Sequence, residues 1–333
     1  MKIALAQLGR IGDMILLTAG LPAIKRIRPE PGIHIVASRH NAAALKGNPN
    51  VDRVIVYDKS PTGFVSFVRK LRRERYDFWI DPKDHFSRES NLLARLARAN
   101  YKIGRDGRPK SEWGRASRGL RNPFDYVVPS DVANRELHYV ERLSNALAPL
   151  GIDLKPERDR PRLYPSQDSL LFAENFLSGR GGKAVYVNIS ASSASRMLPG
   201  RTWIEALGSA KGDCFYAIGA MPRDAAVALE IASALGAGRA AVYPARGLED
   251  VIAIVSRCAA IVTPDTAPVH IASAFDVPTL AVFFAHAANL SKFRPLAPGS
   301  RVIIDENATN TGLALPPDKL ALEINQLKLK VTR

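Results

Sequence analysis

Short apolar runs rich in β-branched residues alternate with stretches of helical periodicity along the whole chain. In the first half the period-2 and continuous apolar runs predict strands at 2–6, 33–37, 53–57, 77–81 and 101–103. Between them, apolar residues recurring every three or four positions predict helices at 13–27, 41–47, 63–75 and 88–99. A longer helix at 134–150 follows a segment rich in Arg, Gly and Pro. Residues 151–166, GIDLKPERDRPRLYPS, carry three prolines and a run of charges without an apolar period, which marks a domain boundary. The alternation then restarts, with strands predicted at 184–189, 214–218, 240–243, 260–263, 279–284 and 301–304. Helices are predicted at 168–177, 201–210, 223–235, 248–257, 267–275 and 318–328. Repeated βα units imply an α/β fold of parallel sheets with helices on both faces. The expected organisation is therefore two domains, 1–160 and 161–333, facing a central cleft. The last helix is a candidate to pack back on the first domain. Ligands in such sheets sit at the carboxyl ends of the strands.

Composition narrows the class without naming a function. Of 333 residues, 46% are apolar, 24% charged and 7% aromatic, and the mean hydropathy is −0.08. These values exclude a disordered tail, a collagen-like chain and a disulfide scaffold. Cys214 and Cys258 have no metal-type spacing, and a reducing cytoplasm fits them. The start, MKIALAQLGRIGDMILL, begins like a signal peptide but holds Arg10 and Asp13 inside its apolar part, so it reads as a first strand and helix. No stretch approaches the ~20 apolar residues that span a bilayer.

Charge changes the picture more. The net charge is +15, and residues 1–165 hold 31 basic and 18 acidic residues, a net of +13, against +2 for the remainder. Arg69 to Arg121 alone carries +9. A positive half invites a polyanionic partner, whether nucleic acid, an anionic membrane face or a phosphorylated substrate, or simply keeps the chain soluble. Arg69–Arg121 lacks a helix-turn-helix or an RNA-binding aromatic pattern, so no nucleic acid is expected.

Four βα turns carry candidate chemistry. In Gln7-Leu8-Gly9-Arg10-Ile11-Gly12-Asp13 the glycines allow a tight turn and close ligand approach, but the G-x-G-x-x-G dinucleotide spacing is missing. Asp13 either caps the first helix or points into the cleft as a general base, where partial burial would raise its pKa. In Val262-Thr263-Pro264-Asp265-Thr266-Ala267-Pro268-Val269-His270 a strand runs into a helix with Thr266 as N-cap and Pro268 in the first turn. That helix start suits a diphosphate, and Asp265 beside it suits sugar hydroxyls; an Asp/Thr capping pair with His270 packed on the helix is the plainer alternative. The loop Asn188–Pro199 offers Ser190, Ser192, Ser193 and Arg196 to phosphate oxygens, or is a plain Ser/Ala loop. Asp224, after Ile218-Gly219-Ala220-Met221, is placed to bind ribose hydroxyls or to occupy a helix's first turn.

Taken in order, these segments resemble glycosyltransferase family 9, the ADP-heptose:lipopolysaccharide heptosyltransferases. LGRIGDMILLTAGLPAIKRIRP resembles that family's opening G-D-[VM]-I-L-T-x-P-A-L. NPNVDRVIVYD, YDFWID and HYVERLSNALAPLGI resemble later segments. VTPDTAPVHIASAFDVPTLAVFF resembles the signature D-T-G-x-x-H-L-A-A-A-L-x-x-P. The resemblance implies a GT-B architecture of two Rossmann-like domains. It also implies an inverting, metal-independent transfer of heptose from ADP-heptose to an inner-core lipopolysaccharide acceptor. Asp13 would be the base. Gly12, Ser190, Ser192, Ser193, Arg196, Asp224, Asp265, Thr266 and Ala267 would meet the donor, with the backbone near 244–248 facing the adenine. Arg196 stands where the family has a phosphate-binding Lys, and Ala267 where it has Gly. Arg keeps the charge but changes reach, and Ala restricts the backbone at the closest diphosphate approach.

The sequence has no D-x-D pair, and neither a metal nor a resident cofactor is expected, the ADP-sugar being a co-substrate. Lys59, Arg69, Arg72, Arg73, Lys83 and Arg88 are the candidate contacts to an anionic acceptor. Arg69, Arg72 and Arg73 share one helix face by their i, i+3, i+4 spacing. A cytoplasmic enzyme touching the inner face of the membrane is expected. Its rivals are a related GT-B transferase with another nucleotide sugar or glycan acceptor, and a non-catalytic sugar-nucleotide or lipopolysaccharide-binding relative.

Overall fold

Among the described residues, twelve parallel strands form two separate six-stranded sheets, each belonging to its own compact unit, Met1–Arg162 and Leu163–Arg333. The computed structural model describes residues 1–58, 60–105, 122–180, 183–284 and 288–330.

In the first unit β1 (Lys2–Gln7) is central, because KIALAQ is buried from Ile3 onward and needs neighbours on both edges. Around it lie α1 (Ile11–Leu17), α2 (Leu21–Lys25), β2 (Gly32–Ser38), β3 (Arg53–Tyr57), α3 (Pro61–Arg73) and β4 (Tyr76–Ile80). They are followed by α4 (Arg88–Leu96), β5 (Ala99–Gly104), β6 (Tyr126–Val127) and α5 (Tyr139–Leu147). The order β3-β2-β1-β4-β5-β6 reverses direction between β1 and β4. Register is set by apolar pairs such as Leu5 opposite Ile35 and Ile80. One face packs Ala4, Ala6 and Trp79 under Phe67, Leu71 and Leu93 of α3 and α4.

The second unit repeats the plan with α6 (Gln167–Leu177), β7 (Lys183–Asn188), α7 (Gly200–Ser209), β8 (Cys214–Gly219), α8 (Ala225–Leu235) and β9 (Ala240–Val242). It continues with α9 (Leu248–Arg257), β10 (Ala260–Pro264), α10 (Ala267–Ala274), β11 (Thr279–Phe284), α11 (Ala288–Phe293), β12 (Arg301–Asp305) and α12 (Pro317–Gln326). Its order, β12-β11-β10-β7-β8-β9, reverses between β7 and β10. Both sheets thus have the doubly wound order, in which the reversal opens a crevice beyond the strand ends.

Several elements depart from the expected ones for local reasons. The helix expected at 13–27 is interrupted by a 3₁₀ turn at Thr18–Gly20, where the Thr18 hydroxyl donates to Ile15 O. Gly20 there lets Leu143 and Leu147 approach so closely that a Cβ would stand 3.1 Å from each. The stretch 41–47 forms only a 3₁₀ turn, Ala42–Leu45. The helix expected from 134 starts at Tyr139, because His138 and Glu141 form a capping box. The two-residue β6 and short α11 were below what periodicity resolves. The proline-rich boundary segment is strapped to the first unit as far as Arg162, whose N–H donates to Thr18 Oγ1 at 2.8 Å. The last helix, α12, packs within its own unit, where Leu320 joins Trp203 and Leu207 of α7 in one core.

A charged clasp ties α6 to α9. Arg246 donates from Nε and Nη2 to the buried Asp250 at 2.8 and 2.9 Å, and reaches Asp168 at 2.8 Å. Its guanidinium lies 4.2 Å over the Phe172 ring. These hydrogen bonds hold the Asp250 carboxyl down at about 2. A depressed folded value contributes stability above the unfolded carboxylate range and loses it as pH falls towards 2. Asp250→Asn is therefore expected to lower Tm at pH 7, with the gap to wild type closing between about pH 4 and pH 2. A constant gap in melts across that range would contradict this origin.

Candidate active site

The first crevice is built by the turn after β1 and the loop after β4. Gln7, the last residue of β1, turns its side chain back so that Oε1 accepts from Gly9 N at 3.2 Å. Its Nε2 donates to Tyr139 Oη at 2.6 Å. Asn41 donates from Nδ2 to the carbonyls of both Gln7 and Gly9, at 2.9 and 3.0 Å. Asp13 stands half-buried in the first turn of α1, its Oδ2 accepting from Arg10 N at 3.4 Å. It is therefore the N3 member of a capping box whose N-cap is Arg10, the plainer of its two expected roles. A Cβ on Gly9 would lie 2.9 Å from that oxygen, so the glycine makes room for the carboxylate. Gly12 precedes it in the same turn.

The loop after β4 carries three charged residues. Asp81 is buried, and burial pushes its carboxyl above the usual carboxylate range, against the pull of Lys83. Lys83 donates to Ser90 Oγ at 3.1 Å. Asp84 is buried against Arg142 of α5 at 2.7 Å. Burial raises the Tyr139 phenol well above its ordinary value, with the charges of Asp13, Asp84 and Asp81 adding to the shift, so these carboxylates all act on one hydroxyl.

The second crevice lies after β7 and β10. Asn188, the last residue of β7, donates from Nδ2 to Ser190 O at 2.9 Å, Thr263 Oγ1 at 2.9 Å and Thr266 Oγ1 at 3.0 Å. Thr266 is the N-cap of α10, but its hydroxyl makes no cap bond because it faces Asn188. The first amides of α10 are left without that side-chain cap, a setting suited to an anion. Arg196 donates to Asp265 O at 2.8 Å, lies 3.7 Å from Asp265 Oδ2, and also donates to Ser192 Oγ. A positive group thereby offsets Asp265 beside the helix start. Ser190 Oγ donates to Asp224 at 2.5 Å and accepts from Met221 N at 2.8 Å. Arg223 bonds Ala191 O. Ser193 lies on the exposed part of the loop, its hydroxyl 2.8 Å from that of Ser195. Ala267 opens α10. His270 is a buried imidazole against Phe293, lowered by burial to about 3, and so belongs to the packing of α10.

Side-chain bonds around the β7–β10 reversal thus form two groups, Ser190, Asp224 and Thr266 through Asn188, and Ser192 and Asp265 through Arg196. The basic residues divide. Lys83 and Arg88 follow β4 and sit at the same end of the sheet as Asp13. Arg72 and Arg73 do not, which corrects their expected role. In a βαβ unit the helix runs back against the strand direction, so these last residues of α3 lie some 17 Å down the helix, beside the start of β4. Arg69, exposed one turn earlier, is also on the half of α3 remote from the strand ends. Lys59 and residues 106–121 lie outside the described residues. Among the described residues no three His, Cys, Asp or Glu side chains gather as a metal site, and no helix is long and apolar enough to cross a membrane.

Gln7, Asn41, Asp81, Tyr139, Asn188 and Thr263 were not singled out from sequence. One signal was available: Gln7, Asp81 and Asn188 are polar residues ending or following buried apolar strands that flank a reversal.

Each unit is doubly wound, one with a carboxylate at its reversal and one with an anion-suited helix start. Comparison with known proteins supplies the class. Residues 64–312 match the model of glycosyltransferase family 9 (heptosyltransferase), and the chain belongs to that family. It is 24% identical over 293 residues to lipopolysaccharide heptosyltransferase 3 of Escherichia coli, covering 82% of this chain and 81% of that protein. Its fold is similar to a family 9 glycosyltransferase of Veillonella parvula DSM 2008, with a TM-score of 0.76, 17% identity and 97% of each chain covered. It is also similar to the E. coli heptosyltransferase WaaC solved with ADP, with a TM-score of 0.73, 19% identity, and 98% and 99% of the two chains covered. The matched family segment begins after the first βα unit, so Asp13 stands outside it.

Proposed function

We propose that the chain transfers a heptose from ADP-heptose to an inner-core lipopolysaccharide acceptor, with inversion and without a metal. The observation that carries this reading is the pairing of Arg196 with Asp265 at the start of α10, in a chain of the heptosyltransferase family. Diphosphate oxygens take the α10 amides and Arg196; sugar hydroxyls take Asp265; Asp224 binds the ribose; residues 244–248 line the adenine. Asp13 accepts the proton of the acceptor hydroxyl, whose oxygen attacks the anomeric carbon from the face opposite the nucleotide. The negative charge on departing ADP is stabilised by Arg196 and fixed backbone dipoles. Lys83 and Arg88 contact the anionic acceptor. The excess charge of the first unit draws the enzyme to the cytoplasmic face of an anionic membrane.

A second nucleotide sugar in the same site is the competing reading, favoured by Arg196 and Ala267, which replace the family's Lys and Gly. Thermal melts with ADP, UDP and GDP separate the two. ADP is expected to raise Tm by several degrees at saturating concentration. A shift with UDP or GDP but not ADP would overturn the heptosyl donor. Asn188→Ala, which removes the common donor to Ser190, Thr263 and Thr266, is expected to weaken ADP binding about 10-fold, near 1.4 kcal/mol. Unchanged ADP affinity in calorimetric titration would remove Asn188 from the donor site.

A further inference from the structure

The base turn is held by side chains from three separate elements, Gln7, Asn41 and Tyr139, all of them buried. Asn41 is completely buried in the turn after β2, where Oδ1 accepts from Ser38 N at 2.9 Å. Its Nδ2 then spans Leu8 by bonding the carbonyls on either side of it, Gln7 and Gly9. Gln7 closes the turn from within, through Oε1 to Gly9 N, and anchors it outward, through Nε2 to Tyr139 on α5. The glycine so fixed is the residue over which Asp13 Oδ2 lies, and Gly9 has no space for a Cβ there. The path from α5 to the turn thus runs through two hydrogen bonds of the Gln7 amide, at 2.6 and 3.2 Å, and Gly9 meets the carboxylate by close contact.

We infer that Tyr139 and Asn41 are positioning residues for the transfer: through Gln7 they fix the Gly9 turn, and the turn fixes the Asp13 carboxylate against the acceptor hydroxyl. This rests on the reading of Asp13 as the base. A carboxylate moved by even an ångström loses much of its advantage as a proton acceptor, while donor binding in the other unit is untouched. The raised phenol of Tyr139 keeps its oxygen uncharged, so the Gln7 amide bonds a neutral hydroxyl at any working pH.

The experiment measures ADP released from ADP-heptose in the presence of lipopolysaccharide acceptor, for full-length Tyr139→Phe, Asn41→Ala, Asp13→Asn and Ser144→Ala. Ser144, also on α5, loses a buried bond to Leu154 N (2.8 Å) without touching the turn, and reports what mere destabilisation does. Tyr139→Phe and Asn41→Ala are expected to lower kcat about 10- to 100-fold with both KM values within two-fold of wild type. Ser144→Ala is expected to keep kcat while losing Tm. Wild-type kcat in the two turn variants, with Asp13→Asn inactive, would overturn the positioning role and leave the base standing. A fall in kcat that follows Tm equally in Ser144→Ala would also overturn it. Full transfer by Asp13→Asn would instead remove the base, and the inference with it.

Discussion

Asp13→Asn is expected to lower the rate of transfer about 10³-fold while ADP binds as in the wild type. The isosteric amide keeps an oxygen able to accept from Arg10 N, so the first turn of α1 retains its cap. What it loses is the capacity to take a proton as the acceptor oxygen attacks, a contribution on the order of 10²–10⁴ for a positioned base. Apart from Gly12, the donor residues lie in the other unit, joined by their own bonds around Asn188, Arg196 and Ser190. Rate and nucleotide affinity should therefore separate: single-turnover transfer falls, and calorimetric titration with ADP is unchanged. Transfer within ten-fold of wild type would refute the assignment. Lost ADP binding would point to a role for Asp13 in the donor site.

Arg142→Ala is expected to destabilise the first unit by about 3–5 kcal/mol. The guanidinium is buried and used on every side. It bonds Asp84 at 2.7 Å and Asp131, donates from Nε to Leu137 O at 3.0 Å, and from Nη2 to Arg135 O at 3.3 Å. Removing it leaves the buried carboxylate of Asp84 without its closest cation and two carbonyls without donors, while also opening a cavity. Because Asp84 follows Lys83 on the loop after β4, acceptor KM should rise along with the loss of stability. Urea unfolding measures the first effect. Asp84→Asn combined with Arg142→Met should recover part of the stability, since a matched neutral pair leaves no isolated charge. A loss below about 1 kcal/mol for Arg142→Ala would show that the pair is solvated.

Residues distant along the chain are joined in both cases, and that sets the limit on what pattern-reading finds. The alternation of apolar strands and helices is local physics: a continuous apolar run such as 260–263 must be buried on both faces, and a period of 3.6 must present one face. Asp13, Asp265 and Thr266 stand out for a related reason, since each sits where a strand passes into a helix and the free amides of that helix start favour particular side chains. The basic stretch on α3 shows how such reasoning fails. The spacing of Arg69, Arg72 and Arg73 correctly puts them on one helix face, but it fixes direction around the helix and not position along the sheet. Reversal of direction in the βα unit takes Arg72 and Arg73 away from the strand ends.

The overall charge follows the same division. Arithmetic along the chain places +13 in the first half, and the units divide at Arg162, so the imbalance is a property of one folded unit. How that charge is used depends on burial. Arg142 is consumed inside the unit by Asp84 and Asp131, whereas Lys83 and Arg88 stand at the carboxyl ends of the strands. The amino-acid order determined the elements, the two-unit plan and the polar residues at strand-to-helix turns, because propensity and periodicity act over a few residues. Only the tertiary structure decided that Asn188 joins two loops seventy-odd residues apart, that Asn41 and Tyr139 frame the turn of Asp13, and that α3's last arginines face elsewhere. Those outcomes depend on strand order and on hydrogen bonds of fixed length and direction, which pairing in space creates and adjacency along the chain does not.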